Sequence, residues 1–386
     1  MKVWPVLGVA ILQAFLLLAH WFLFLTVIRF FPLGGSAREA LGAALLVLAL
    51  SFVAAAFWSF RQTDLLSRTA YKAAAVWLGF LNFFFWAACL CRLAKLGLWL
   101  AGRDTAVPRL ALAAALFGLA ALAGVYGLVN ARLIRERRVT VELPKLPAGW
   151  RGRTGLLVSD LHLGHVNGAR LAARIAGIAK RLNPDVLFIA GDLYDGSKAN
   201  PKKLAEPLFD LTPPLGTYFC GGNHEDFGNT AEFERTLRAA GIRVLHNERV
   251  NVDGLDVIGV SYRDAAYPMH LRTFLDGLAL NGAPSVLLNH VPSRLPIVEQ
   301  AGVSLQLSGH THGGQLVPFT WFTRRAFGKY THGLQRFGRL QVLTSSGAGT
   351  WGPPMRVGSQ SEVVLITFEE QRSQRGLWSA PLIPDP

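Results

Sequence analysis

The sequence predicts four membrane-spanning α-helices followed by an α/β domain. Two features predict it. Residues 3–28, 40–60, 73–91 and 110–131 contain no Asp, Glu, Lys or Arg, and each run is long enough to cross about 30 Å of hydrocarbon as a helix. After residue 154 the pattern changes to short apolar runs, each closed by Asp, Asn or His. Such runs read as buried strands that deliver polar residues at their carboxyl ends, where open α/β sheets bind ligands.

Trp4, Trp21, Trp58, Trp77 and Trp99 lie within or near the ends of the apolar runs, as interfacial aromatics do. The first run is too long for a cleaved signal peptide, and no small-residue cleavage site follows it. It ends at Arg29, and Pro32, Gly34, Gly35 and Ser36 make the turn. The second run ends at Arg61. The third ends either at Cys91 or, through Arg92 and Lys95, at Leu100. The fourth ends at Asn130 or Ala131. His20, alone in the first run, reads as a packed helix-face residue. Together with the basic cluster Arg132 to Arg138 these runs make a membrane region over residues 1–138. Pro144, Pro147 and Gly149 mark a linker over 139–153. The α/β domain then spans 154–370, and 371–386 is a proline-rich tail. Within the domain, strands are expected at 154–159, 186–190, 217–220, 242–245, 256–260, 285–289 and 304–308. Helices are expected at 168–182, 201–210, 230–240, 270–280 and 293–301. Runs near 340–344 and 362–368 suggest a second sheet.

The net charge of +14 is unevenly placed. Residues 1–150 hold 15 Lys and Arg against 5 Asp and Glu, and residues 151–386 hold 24 against 20. The basic excess therefore belongs to the membrane region, and it points to the lipid bilayer rather than to nucleic acid as partner. Lys2, Arg61, Arg68, Lys72 and the 132–138 cluster share one side of a four-span topology. The positive-inside rule assigns that side, with the C-terminal domain, to the cytoplasm; the expected location is the inner, cytoplasmic membrane. The three cysteines have neither metal-finger nor redox spacing.

Five blocks carry the chemistry: Asp160-Leu161-His162, Gly191-Asp192 with Asp195, Gly222-Asn223-His224-Glu225, His290, and Gly309-His310-Thr311-His312. Their Asp, Asn and His side chains offer only nitrogen and oxygen donors, a set that Mn, Zn or Fe accepts. A pair of divalent ions needs one bridging ligand, and the Asp192 carboxylate suits that role. Asp160, His162 and one later His would complete one shell; Asn223, His290 and another later His would complete the second. A water between two such ions is acidified toward hydroxide, and the ions clamp both oxygens of an in-line displacement at phosphorus.

In order and spacing the blocks resemble the calcineurin-like metallophosphoesterases, over roughly residues 154–368. The resemblance implies a four-layer α/β/β/α sandwich. It also implies that Asp160, His162, Asp192 and His312 hold one metal ion and that Asp192, Asn223, His290 and His310 hold the other. His224 is similar to the family's catalytic histidine, and Asp195 to the carboxylate that orients it. The long form Ser308 to Gln315, and Ser346 to Thr350 with Pro353, Pro354, Arg356 and Glu362, resemble a bacterial membrane-attached branch. That branch is similar to UDP-diacylglucosamine pyrophosphatases and to transmembrane proteins bearing this domain. The implied function is a membrane-anchored phosphohydrolase for a phosphorylated lipid or nucleotide-lipid. The competing readings are an anchored phosphodiesterase for soluble nucleotides and a membrane sensor or transporter whose domain only binds ligand. A transporter usually needs charges within its membrane spans, and none is paired there.

Other polar residues have bland and functional readings side by side. His165 either touches substrate or lies on the surface; His246 and His270 read as structural; His332 reaches phosphate or sits in a loop. Arg356 either grips a substrate phosphate or pairs with Glu362. From Pro318 to Leu340 there are five basic residues, Arg324, Arg325, Lys329, Arg336 and Arg339, no acidic one, and six interleaved aromatics. Such a segment suits a headgroup layer, where it would guide a lipid phosphate toward the metals; the alternative is a packed loop with solvated charges.

Overall fold

The computed structural model describes residues 3–102 and 105–371, so all but the first residue of the expected tail lies outside it. Four helices come first: α1 (Val3–Phe30), α2 (Gly35–Arg61), α3 (Leu65–Leu100) and α4 (Ala106–Asn130). All four are long and apolar enough to cross a membrane. Leu16, Ala19 and Leu23 of α1 pack with Leu45 of α2 and with Leu81 and Ala88 of α3. Large apolar side chains such as Ile11, Val47 and Leu119 face outward, each more than 60% exposed. A helix bundle that is apolar on both its inner and outer faces is suited to lipid rather than water. α3 runs on to Leu100, the longer of its two expected ends.

The strands are β1 (Ile134–Leu143), β2 (Thr154–Val158), β3 (Val186–Ala190), β4 (Thr217–Cys220), β5 (Arg243–Val244), β6 (Glu248–Val252), β7 (Leu255–Gly259), β8 (Ser285–Leu288), β9 (Leu305–Ser308), β10 (Gly333–Phe337), β11 (Leu340–Thr344) and β12 (Ser361–Glu370). The helices between them are α5 (Ala169–Leu182), α6 (Pro201–Phe209), α7 (Asn223–Phe227), α8 (Thr230–Ala239), α9 (Tyr262–Ala266), α10 (Pro268–Gly277), α11 (Leu295–Gln300) and α12 (Phe319–Phe327). One six-stranded sheet has the order β1-β12-β2-β3-β4-β5, the other β10-β11-β9-β8-β7-β6. β2, β3 and β4 run parallel, as do β7, β8, β9 and β11.

Alternation along the strands builds the layers. In β2, Leu156 and Val158 meet Ile175 of α5 and Leu204 of α6 on the outer face. Leu157 between them turns inward with Phe188, Val286, Leu307 and Ile366, filling the space between the sheets. Beyond the second sheet, Ile258, Leu287 and Val342 pack on Leu271 and Leu275 of α10 and Val298 of α11. The architecture is the four-layer α/β/β/α sandwich.

Three sequence expectations are corrected. Residues 134–143, divided between the membrane region and the linker, form β1, paired in parallel with β12 along its whole length. Its basic residues sit on an alternating strand at the sheet edge, with only Val141 and Leu143 buried, so it reads as a charge cluster. The runs near 340–344 and 362–368 do not make a sheet of their own. β11 joins the second sheet, and β12 enters the first between β1 and β2. The basic aromatic segment is not a loop throughout, since Phe319–Phe327 is helix α12.

The membrane helices are docked on the sandwich. A Cβ added to Gly79 of α3 would lie 2.5 Å from Met355 Sδ, and one on Gly127 of α4 would lie 3.0 Å from Val357 Cγ2. These glycines let the helices approach the 353–357 loop closely. Asn130, the last residue of α4, is buried and donates from Nδ2 to the carbonyls of Arg356 and Ser359, both at 3.0 Å.

Candidate metal centre

Each sequence block lies just past a strand end. Asp160 stands two residues beyond β2, Asp192 two beyond β3, His290 two beyond β8, and His310 and His312 two and four beyond β9; Asn223 opens α7 after β4. The chain turns sharply to aim these side chains inward. Asp160, His162, Asp192, His310 and His312 all have positive φ, between 46° and 69°. Non-glycine residues there cost roughly 1–3 kcal/mol each and persist where the surroundings overdetermine them, most often at functional sites. The glycines of the motifs make room. A Cβ on Gly222 would sit 2.2 Å from Asp192 Oδ1, and one on Gly309 2.2 Å from Asp160 Oδ2.

The seven candidate ligands converge. His290 Nε2 is 3.1 Å from Asp192 Oδ2, and His162 Nε2 is 3.8 Å from the same oxygen. His312 Nε2 lies 3.5 Å from Asp160 Oδ1 and 3.0 Å from His162 Nε2. His310 Nδ1 is 3.0 Å from Asn223 Oδ1. Asp160, His162 and His312 form one group able to hold an ion, and Asp192, His290 and His310 form another. Two imidazole nitrogens, His162 Nε2 and His312 Nε2, face each other across 3.0 Å. That geometry fits nitrogen ligands about 2 Å from a shared ion.

For three of the histidines the electrostatics favour the ligating form, whereas, against its burial, the Asp192 and Asp160 carboxylates raise His290 to about 10, and burial raises Asp160 to about 6. Burial pushes His162 down to about 3 and His310 down to about 4, and drives His312 well below the ordinary range; neutral imidazole is the form that binds metal. Burial opposes ionisation of Asp192, yet the charge and hydrogen bond of His290 hold its carboxyl below the usual range. Burial and the Asp192 charge raise Glu225 to about 7. Its carboxylate accepts from the backbone N–H of Asp192 at 3.0 Å, Tyr194 at 2.9 Å and Gly222 at 2.7 Å. Glu225 thus ties the turn after β3 to the turn after β4, a role that the motif alone did not disclose.

His224 joins the group, with its ring edge-on to His162 at 4.5 Å. Its orienting partner differs from the expectation. The Asp195 carboxylate accepts from the backbone N–H of His165 and Ser197; the Asp195 main-chain carbonyl, not the carboxylate, faces His224 Nδ1 at 3.1 Å. Arg356 is fully buried and grips no substrate-facing space. It donates to the carbonyls of His312, Ser346, Gly347 and Gly349, and burial lowers it to about 10. His165 is buried, its ring 5.8 Å from that of Tyr71 on α3. His246 and His270 lie apart from the centre, against Glu234 and Asp264. His332 is 2.9 Å from Glu362.

One cavity, of about 50 Å³, joins the centre to the membrane helices. His162, His165 and Asp195 line it together with Ser59 and Phe60 of α2 and Tyr71 of α3.

Comparison with known proteins agrees with this geometry. The family described as calcineurin-like phosphoesterase matches residues 156–314. A "transmembrane protein with metallophosphoesterase domain" of Danio rerio is 34% identical over 328 residues, covering 79% of this chain and 74% of its own. An uncharacterized metallophosphoesterase of Aquifex aeolicus is 34% identical over 258 residues, covering 65% of this chain and 98% of its own. One from Campylobacter jejuni is 29% identical over 338 residues, covering 84% and 88%.

Proposed function

The chain belongs to the calcineurin-like phosphoesterase family and is a membrane-anchored, metal-dependent phosphoester hydrolase, and from that premise we propose that two divalent ions act together in it on a phosphorylated lipid or nucleotide-lipid. Asp160, His162, Asp192 and His312 would hold one ion; Asp192, Asn223, His290 and His310 would hold the other. Mn, Zn and Fe all accept these donors. When bound, such a pair acidifies water and clamps the oxygens of an in-line displacement at phosphorus.

The remaining work falls to the chain itself. Asp192 presents one carboxylate oxygen to both His162 and His290, which supports a bridging role. The Asp195 carbonyl can only accept, so it favours a proton on His224 Nδ1; Nε2 then delivers a proton to the leaving oxygen from the doubly protonated ring, which returns to the Nδ1–H imidazole. The strained turns fix the ligand positions before substrate arrives, which limits reorganisation during the reaction. The positive-inside charge pattern supports a cytoplasmic catalytic domain.

The observation that carries the lipid reading is the shared cavity wall. Ser59, Phe60 and Tyr71 belong to membrane helices, yet they wall the same space as the candidate ligand His162. The space is small, about 50 Å³, so it is the closeness of the membrane helices to His162, rather than the void itself, that supports a substrate presented from the bilayer. The test is an activity screen of metal-loaded protein in detergent, comparing UDP-diacylglucosamine, phospholipids, cyclic nucleotides and a chromogenic diester. Preferred turnover of a lipid supports the reading. Faster turnover of cyclic nucleotides would assign the site to soluble nucleotides, and no turnover of any member would favour a ligand-binding role.

A further inference from the structure

Between α12 and the last membrane helix lies a second and larger cavity, of about 630 Å³. Tyr126 of α4, Arg324 of α12, Lys329, and the backbone around Gly313 and Ser359 line it. None of the seven candidate ligands does, although Gly313 directly follows His312.

Its charge is one-sided. Among the described residues no carboxylate pairs with Arg324 or Lys329. The acid in the wall, Glu362, is only 4% exposed and already engaged. It accepts from the backbone N–H of Ser346 at 2.9 Å and lies 2.9 Å from His332 Nε2. The cavity therefore offers two cations without a carboxylate partner, Lys329 Nζ lying 5.3 Å from the centre of the Tyr330 ring, and calls for an anion.

Its position is at the membrane surface. Tyr126 lies about one turn from the end of α4 and is 55% exposed, the place that tyrosine takes at a headgroup layer. Beside the cavity, Val317, Phe319, Trp321 and Phe322 are 46–63% exposed. They form an apolar patch of a kind that soluble surfaces rarely present. Asn82 of α3 donates to the Val317 carbonyl at 2.9 Å, which holds this patch against the membrane helices.

We propose that this cavity binds the headgroup of an anionic phospholipid, as a site distinct from the one where hydrolysis occurs. Arg324 supplies a planar donor pair matched to a phosphate, and Lys329 a point charge. Tyr126 supplies a hydroxyl, while the apolar patch lies among the acyl chains. Free phosphate shares the headgroup's chemistry but would gain nothing from that patch.

Native mass spectrometry of the full chain, exchanged into phosphatidylglycerol or phosphatidylcholine, tests this. Wild type retains phosphatidylglycerol over phosphatidylcholine, and millimolar inorganic phosphate does not displace it. Arg324→Ser combined with Lys329→Ser lowers retention roughly 10- to 30-fold, the effect of removing two cations near an anionic headgroup; each single change gives part of that loss. Lys202→Ser with Arg235→Ser removes the same charge from exposed positions of α6 and α8 and leaves retention unchanged. Undiminished retention in the cavity variant, an equal loss in the control, or displacement by inorganic phosphate would each overturn the proposal.

Discussion

Asp192 Oδ2 faces His290 at 3.1 Å and His162 at 3.8 Å, so one carboxylate oxygen is placed to serve both halves of the proposed centre. Asp192→Asn removes that charge while keeping the shape. It is expected to abolish phosphodiester hydrolysis and to lower metal content; an active Asp192→Asn protein with two full equivalents of metal would end the bridging role. His224 is predicted to act on the leaving group. His224→Ala keeps its metal and slows turnover about 10²- to 10⁴-fold, with a smaller loss for a nitrophenyl than for an alkyl ester. Equal losses for the two esters would remove the acid role. Glu225→Gln leaves one acceptor oxygen where three backbone N–H groups need two. It should cost about 1–3 kcal/mol, read as a lower melting temperature of the catalytic domain. At this scale the sequence was most legible, because the ligand types recur in fixed blocks. It was silent where the contact is made by main chain. Nothing in the motif distinguishes the Asp195 carbonyl from its carboxylate, and nothing marks Arg356 as a strut between loops rather than a phosphate clamp.

Among the elements, the apolar strands read correctly because both their faces are buried. Phe188, for instance, lies between the sheets while its neighbour Leu187 faces α5 and α6. The elements that escaped were amphipathic or charged. β1 carries a row of basic and acidic residues on an edge strand, and α12 mixes exposed aromatics with arginines. The sheet partner of β12 depends on contacts between residues far apart in the chain, which periodicity does not report. The junction between α4 and the sandwich is a testable element. Asn130→Ala leaves the Arg356 and Ser359 carbonyls without their buried donor, at a cost of about 1–3 kcal/mol. The measurement is thermal unfolding in detergent. An unchanged melting temperature would mean that the helix end is not held through this residue.

For the whole molecule, the membrane helices are a wall of the enzyme as well as an anchor. α2 and α3 reach the cavity beside His162, while α3 and α4 pack on the 353–357 loop through glycines. Composition and the apolar runs disclosed that four helices precede a catalytic domain, but not that the two parts share a surface. That surface depends on small residues and loop carbonyls with no signature of their own. Two divalent ions acting together at the strand ends would carry the chemistry. Metal analysis of the full-length protein, paired with hydrolysis of a chromogenic diester before and after chelation, tests it most directly. Two equivalents of metal per chain are expected, with loss of hydrolysis when they are stripped and recovery when Mn, Zn or Fe is restored. Full activity with one equivalent or fewer, or activity that survives chelation, would contradict the two-ion chemistry.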